Sequence, residues 1–97
     1  MPKAYWIASR ITINDQAKQD AYAKLAGPAI AAHGGTFLAL GGRVASLEGF
    51  QQSRVVVTEF PSFEAAVACY ESDEYQAAHA KIDGGVDRDI CVVEALD

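Results

Sequence analysis

The chain has no C-x-x-C, no basic cluster and no apolar run approaching the ~20 residues that a membrane span requires. Each absence excludes a class. Cys69 and Cys91 stand alone. With no histidine beside either, they read as small apolar side chains, not as metal ligands, thiolate nucleophiles or a disulfide frame. Acidic residues outnumber basic ones by 13 to 8, for a formal charge of −5. Without a basic stripe, neither nucleic acid nor an anionic membrane has electrostatic support as a partner. His33 and His79 lie far apart in the chain with no acidic ligand near them, so no metal site is expected. Phosphate loop, nucleophile elbow and H-E-x-x-H are all missing. The pairs Gly34-Gly35, Gly41-Gly42 and Gly84-Gly85 make no G-x-G-x-x-G after a strand and read as turns. No cofactor is evident. The opening "MPKAYWIASR" shows no secretory apolar region, and the expected location is cytoplasmic.

What is present is a globular composition, 51% hydrophobic and 22% charged over 97 residues. That length fits one domain over 1–97. A chain so small buries only roughly 60–65% of its unfolded surface, so a partner subunit would help it.

Lys3 to Ile13 is rich in β-branched and aromatic residues and reads as a strand. Strict alternation puts Tyr5, Ile7, Ser9 and Ile11 on one face and Trp6, Ala8, Arg10 and Thr12 on the other. Asn14 or Asp15 caps a helix that carries Tyr22, Leu25, Ala29 and Ala32 as its apolar stripe and ends at Gly34 or Gly35. Pro28 removes a backbone donor inside that helix and predicts a kink or break, with a gap beneath it. Thr36–Leu40 is a second strand, and Val44–Gly49 reads as a short return or a continuation across a bulge. Ser53–Phe60 is the strongest strand. Ser62 then caps a helix with Phe63, Ala66, Val67 and Tyr70 on one side. Ser72 or Asp73 recaps a further piece carrying Tyr75, Ala78 and Ile82, and Asp89–Leu96 is the last strand.

This order predicts an α+β fold, the ferredoxin-like β-α-β-β-α-β plait, with an antiparallel sheet and its helices on one face. Val55 and Val57 oppose Val56 and Phe60, and Cys91 and Val93 oppose Ile90 and Val92, so both sheet faces are apolar. Helices on one side cover one face only. The other predicts a homodimer packed through its sheets.

The blocks "YWIA", "PAIAAHGGTFLALGG", "RVVVTEFPSFEAA" and "YESDEYQAA" closely resemble the family of unknown function numbered 1330, over nearly the whole chain. The resemblance implies a dimeric α/β barrel. The wider superfamily includes cofactor-free monooxygenases, haem-degrading enzymes and lactone isomerases, and passing from that fold to an activity is analogy. Where the family pattern has an Arg-Gly-Gly turn, this chain has Leu40-Gly41-Gly42, with Arg43 next.

Six residues carry the chemistry that the sequence offers. Glu59 reads as an ion-pair partner of Arg10, Arg43 or Arg54, or as a general base at a pocket rim. His33 either complements the end of its helix or acts as an acid–base imidazole. Tyr70 and Tyr75 bracket Glu71-Ser72-Asp73, which predicts hydroxyls near the surface that can hydrogen-bond a ligand. Trp6 belongs to a set of aromatics that form core or line a cavity. Arg43 is an exposed turn residue or a carboxylate binder. Two functions remain open: an enzyme acting on a small molecule by acid–base chemistry, as an isomerase or a cofactor-independent oxygenase, with Glu59 or His33 as base; or a non-catalytic dimeric module that binds a ligand or serves in stress. Convergence of Glu59, His33, Arg43 and Tyr70 on one point would favour the enzyme.

Overall fold

Short polar side chains set where each helix begins. In the computed structural model, which describes residues 2–96, the Asp15 carboxylate accepts the Lys18 N–H (3.3 Å) and starts α1, Gln16–Ala32. The Ser62 hydroxyl accepts from Ala65 N–H (3.0 Å) and starts α2, Phe63–Glu71. Ser72 accepts from Tyr75 N–H (3.2 Å) and starts α3, Asp73–Ala80. The strands are β1 (Ala4–Ile13), β2 (Thr36–Leu40), β3 (Val56–Phe60) and β4 (Val86–Glu94). They form one antiparallel sheet in the order β2-β3-β1-β4, and the helices pack on one side of it. The architecture is the expected ferredoxin-like plait, with its second helix divided at Ser72.

Trp6, Phe60 and Tyr75 fill the layer between sheet and helices together with Ala26, Ile30 and Ala66. The Trp6 indole N–H donates to the Ala66 carbonyl at 2.9 Å, which ties β1 to α2 and satisfies the one polar atom of a buried ring.

Several expectations are corrected. Arg10 adopts φ 52, and the β1–β4 register shifts between Ser9 and Thr12. This bulge reverses the phase of the strand, so Ile11 joins Trp6 and Ala8 on the helix side instead of following Tyr5 and Ile7. In α1 the buried positions are Ala26, Ala29 and Ile30, while Leu25 and Ala32 face solvent. Pro28 does not break α1, which runs through it to Ala32; Gly34, at φ 82, supplies the left-handed stop. Val44–Gly49 forms no strand. Side-chain contacts hold that stretch instead: Gln52 N–H donates to Ser46 Oγ (2.8 Å), and Gln52 Oε1 accepts from Arg10 N–H (2.7 Å). β4 starts three residues earlier than read, at Val86, because Asn14 and Asp15 N–H groups dock on the Gly85 carbonyl (2.8 and 3.1 Å) and align the chain beside β1. Cys69 is buried as expected, but Cys91 is exposed.

Candidate functional site: a cavity between the first helix and the sheet

Small residues on two facing elements leave a space. Ala8 on β1 lies below Ala23, Ala26 and Gly27 on α1, and a Cβ added at Gly27 would meet nothing within 4 Å. The resulting cavity measures about 200 Å³. Trp6, Ile11, Val56 and Thr58 form its floor, with Phe37 and Leu40 of β2 at one end and Ile90 at the other. The walls are chiefly apolar. Their strongly polar members are Arg54, Arg88, Tyr22 and Gln19.

Arg88 is fixed from three directions. Its Nη2 donates to Tyr75 Oη (2.7 Å), its Nη1 to Tyr22 Oη (3.3 Å), and its guanidinium carbon lies 5.2 Å from the Tyr22 ring centre. The two phenol oxygens are themselves 2.7 Å apart. Burial opposes the charge on Arg88, but the hydroxyls of Tyr22 and Tyr75 outweigh it and raise the guanidinium above its ordinary pKa. Burial, followed by the neighbouring Tyr22, pushes the Tyr75 phenol well up, so Tyr75 keeps its proton.

That proton decides what the cavity presents. Tyr75 is completely buried, and arginine has no acceptor. Among its hydrogen-bond neighbours only the Tyr22 oxygen can receive the Tyr75 O–H. With that bond assigned, the Tyr22 proton is left over on a side chain that lines the cavity. The apolar chamber therefore offers an uncommitted O–H beside a guanidinium that still has unspent N–H groups.

A second, more polar hollow of about 330 Å³ lies along β4, bounded by Tyr70, His79, Asp83, Asp87 and Arg88. Arg88 is common to both. Among the described residues no three His, Cys, Asp or Glu gather where they could hold a metal ion.

Of the six residues singled out from the sequence, Trp6, Tyr70 and Tyr75 pack together, whereas Glu59, His33 and Arg43 lie apart from them and from one another. Trp6 lines the cavity, and Tyr75 lies behind it, fully buried rather than near the surface as expected. Tyr70 is half-buried, 6.0 Å from Trp6 and 5.2 Å from Tyr75 between ring centres, and borders the second hollow. Glu59 points to the open sheet face, where Lys3 is its partner at 3.5 Å; none of the three arginines considered for that role approaches it. His33 sits at the end of α1, with Nε2 3.9 Å from Glu74. The Glu74 carboxyl is held below the usual range by its own backbone N–H, then by Ser72 and His33. Arg43 is exposed in the irregular stretch. The polar residues that do line the cavity, Arg88, Tyr22 and Arg54, were not selected as site residues. One signal for Arg88 exists: in "VDRDICVV" it alternates in phase with Val86, Ile90 and Val92, the buried side of a strand.

A four-stranded antiparallel β2-β3-β1-β4 sheet with one face under helices defines an α+β ferredoxin-like fold. Residues 3–96 match the model of a domain of unknown function, DUF1330, and the chain belongs to that family. No curated protein matches it. Among solved structures it is similar to RPA0582, a protein of unknown function from Rhodopseudomonas palustris (TM-score 0.79, 18% identity, 99% of this chain and 84% of that one). It is also similar to SnoaB, a cofactor-independent oxygenase from Streptomyces nogalater (TM-score 0.64, 9% identity, 100% and 96% covered). Rv0793 from Mycobacterium tuberculosis gives a TM-score of 0.58 at 18% identity, with 98% and 96% covered. At these identities the likeness is one of fold.

Proposed function

We propose that this protein binds a small, largely apolar molecule in the cavity beneath α1, and that Arg88 and Tyr22 hold an acidic or carbonyl oxygen of that molecule. The observation that carries this is the pairing of an apolar chamber with donors that lack an acceptor. An apolar body gains from leaving water, and a ligand oxygen completes the hydrogen bonds of Tyr22 and Arg88.

The cavity wall contains no carboxylate, imidazole or thiol. This favours reversible binding over the acid–base chemistry expected of Glu59 and His33, neither of which reaches it. The enzyme reading now rests on Tyr22, a phenol that can pass a proton next to a cation able to stabilise an enolate. SnoaB, a cofactor-independent oxygenase on a similar fold, is compatible with that second reading. The single tryptophan, Trp6, lines the cavity and reports on it. Titration with aromatic and alicyclic acids should change Trp6 emission and raise the melting temperature in proportion to ligand. In Gly27→Leu, which fills the open space, the response should vanish while the fold stays intact. An unaltered response in that variant places the ligand elsewhere. Recovery of the added acid unchanged supports binding; an altered product supports Tyr22 chemistry.

The assembly we propose is a homodimer through the open sheet face, acting as one domain per chain in the cytoplasm. Tyr5, Ile7, Val57 and Val93 form a continuous apolar surface there, with Val93 47% exposed in the single chain. The exposed Cys91 thiol suits a reducing compartment. No helix among the described residues is long and apolar enough to cross a membrane.

A further inference from the structure

The cavity has two cationic ends. Arg88 belongs to β4 and Arg54 lies two residues before β3, and both line the same apolar space. In the sheet order β2-β3-β1-β4, β1 lies between these two strands. Two strand spacings separate their backbones by about 10 Å. Between the arginines the floor is Trp6, Ala8 and Ile11, with no charge.

Neither cation is neutralised. Among the described residues no carboxylate comes within 4.0 Å of either guanidinium; the ion pairs present are Lys3–Glu59, Arg10–Asp89 and His33–Glu74. The chain carries an excess of acidic groups, so two unpaired arginines lining one chamber do not reflect a shortage of carboxylates. Arg54 is also positioned. Its guanidinium packs on Gly41, a glycine at φ 68 whose N–H donates to the Val55 carbonyl (3.3 Å), and a Cβ at Gly41 would collide with Nη1. The turn after β2 thus steadies this arginine at the β2–β3 end, as the two tyrosines steady Arg88 at the other.

We infer that the ligand of this cavity is doubly acidic: an apolar, elongated body with an anionic group at each end, one received by Arg88 and Tyr22 and the other by Arg54. The inference rests on the binding function proposed above and adds its substrate class. An ion pair flanked by apolar walls is screened far less than one in open water, so the second contact discriminates between diacid and monoacid.

Three probes of one shape separate the cases: para-phenylenediacetate, the monoacid para-tolylacetate and the uncharged diamide of the diacid. A ladder of linear dicarboxylates from adipate to sebacate scans the span. Each is titrated against native protein and Arg54→Gln by Trp6 emission, with circular dichroism confirming that the variant is folded. The diacid, or the best member of the ladder, should bind the native chain at least about tenfold more tightly than the monoacid, the loss expected for one charge-assisted contact. Arg54→Gln should erase that advantage, bringing diacid affinity down to that of the monoacid in the same variant. Equal binding of monoacid and diacids, or an advantage that survives Arg54→Gln, overturns the diacid inference and leaves the pocket standing. If no probe moves Trp6 emission, the inference and the binding function fail together.

Discussion

The two faces of the sheet are built from similar residues and have different fates. On the helix side, Trp6, Thr58 and Phe60 are at most 3% exposed, and polar groups are bound within the chain: the indole N–H donates to Ala66, and Arg88 donates to the two phenols, which leaves donors to spare only where they line the cavity. On the other side, Tyr5, Ile7, Val57 and Val93 are as apolar but have no cover within the chain, and the charges beside them form solvent-facing pairs. Apolarity alone therefore does not separate core from interface. What separates them is whether other elements of the same chain cover them.

The most damaging way to break this contrast is Trp6→Ala. It deletes a buried aromatic and its hydrogen bond and should cost about 3–5 kcal/mol in urea unfolding, whereas Val93→Ala on the open face should cost under about 1 kcal/mol when measured on the monomer. Next in size is Tyr75→Phe. It takes one acceptor from Arg88 and the donor from Tyr22, at an expected cost of about 1–3 kcal/mol, and ligand response should weaken with it. A variant as stable as the parent would show that water replaces the phenol. Val57→Asp sharpens the comparison from the other side: sedimentation should shift to the 10.3 kDa single chain while circular dichroism is retained. A parent protein that already sediments as one chain removes the dimer from consideration.

Alkaline pH gives a gentler test. Burial, then the Glu74 carboxylate, pushes the Cys69 thiol from its ordinary 9.0 to about 11. The folded chain holds that proton more tightly than the unfolded one, so the associated stability is whole below pH 9.0 and is lost as pH rises through about 11. Tyr75 acts in the same direction at higher pH. Denaturant midpoints should fall across this window, and less so in Cys69→Ala. The smallest effect belongs to Glu59→Gln. Its pair with Lys3 is partly exposed, and losing it should change stability by at most about 1 kcal/mol and leave ligand titrations as they were.

The order of elements and the one-sided placement of the helices were legible because period-2 and period-3.6 patterns depend on local sequence. So was the cap at Ser62, while the caps at Asp15 and Ser72 were each one of two neighbouring candidates. The site was not legible for a different reason. Tyr22, Tyr75 and Arg88 come from α1, α3 and β4, and only the folded chain brings their oxygens and nitrogens to 2.7–3.3 Å. Glu59 drew notice as a carboxylate in an apolar strand, yet strand alternation alone cannot say which face the helices take. Val44–Gly49 resembled a strand in composition, but in place of a ladder the stretch supplies the Ser46 hydroxyl as acceptor to Gln52 N–H, and Gln52 in turn accepts from Arg10 N–H. Arg10 gave no warning at all. Positive φ is uncommon for residues other than glycine, asparagine and aspartate, and nothing in "ASRITI" marks it.

That bulge has a consequence for how the gene can change. Trp6 and Ile11 are an odd number of residues apart and still share a face, which an unbroken strand does not allow. Deleting Arg10 would let β1 run straight. It would leave Ile11 four positions after Trp6 and so still in phase with Trp6 and Ala8 on the cavity side. Straightening β1 with Arg10 retained would instead turn Ile11 out to the open face and open the cavity floor. Substitutions along β1 can be judged one side chain at a time, whereas a single-codon deletion that leaves the bulge in place exchanges inside for outside beyond it. The number of residues in this strand is as much a part of the binding site as their identity.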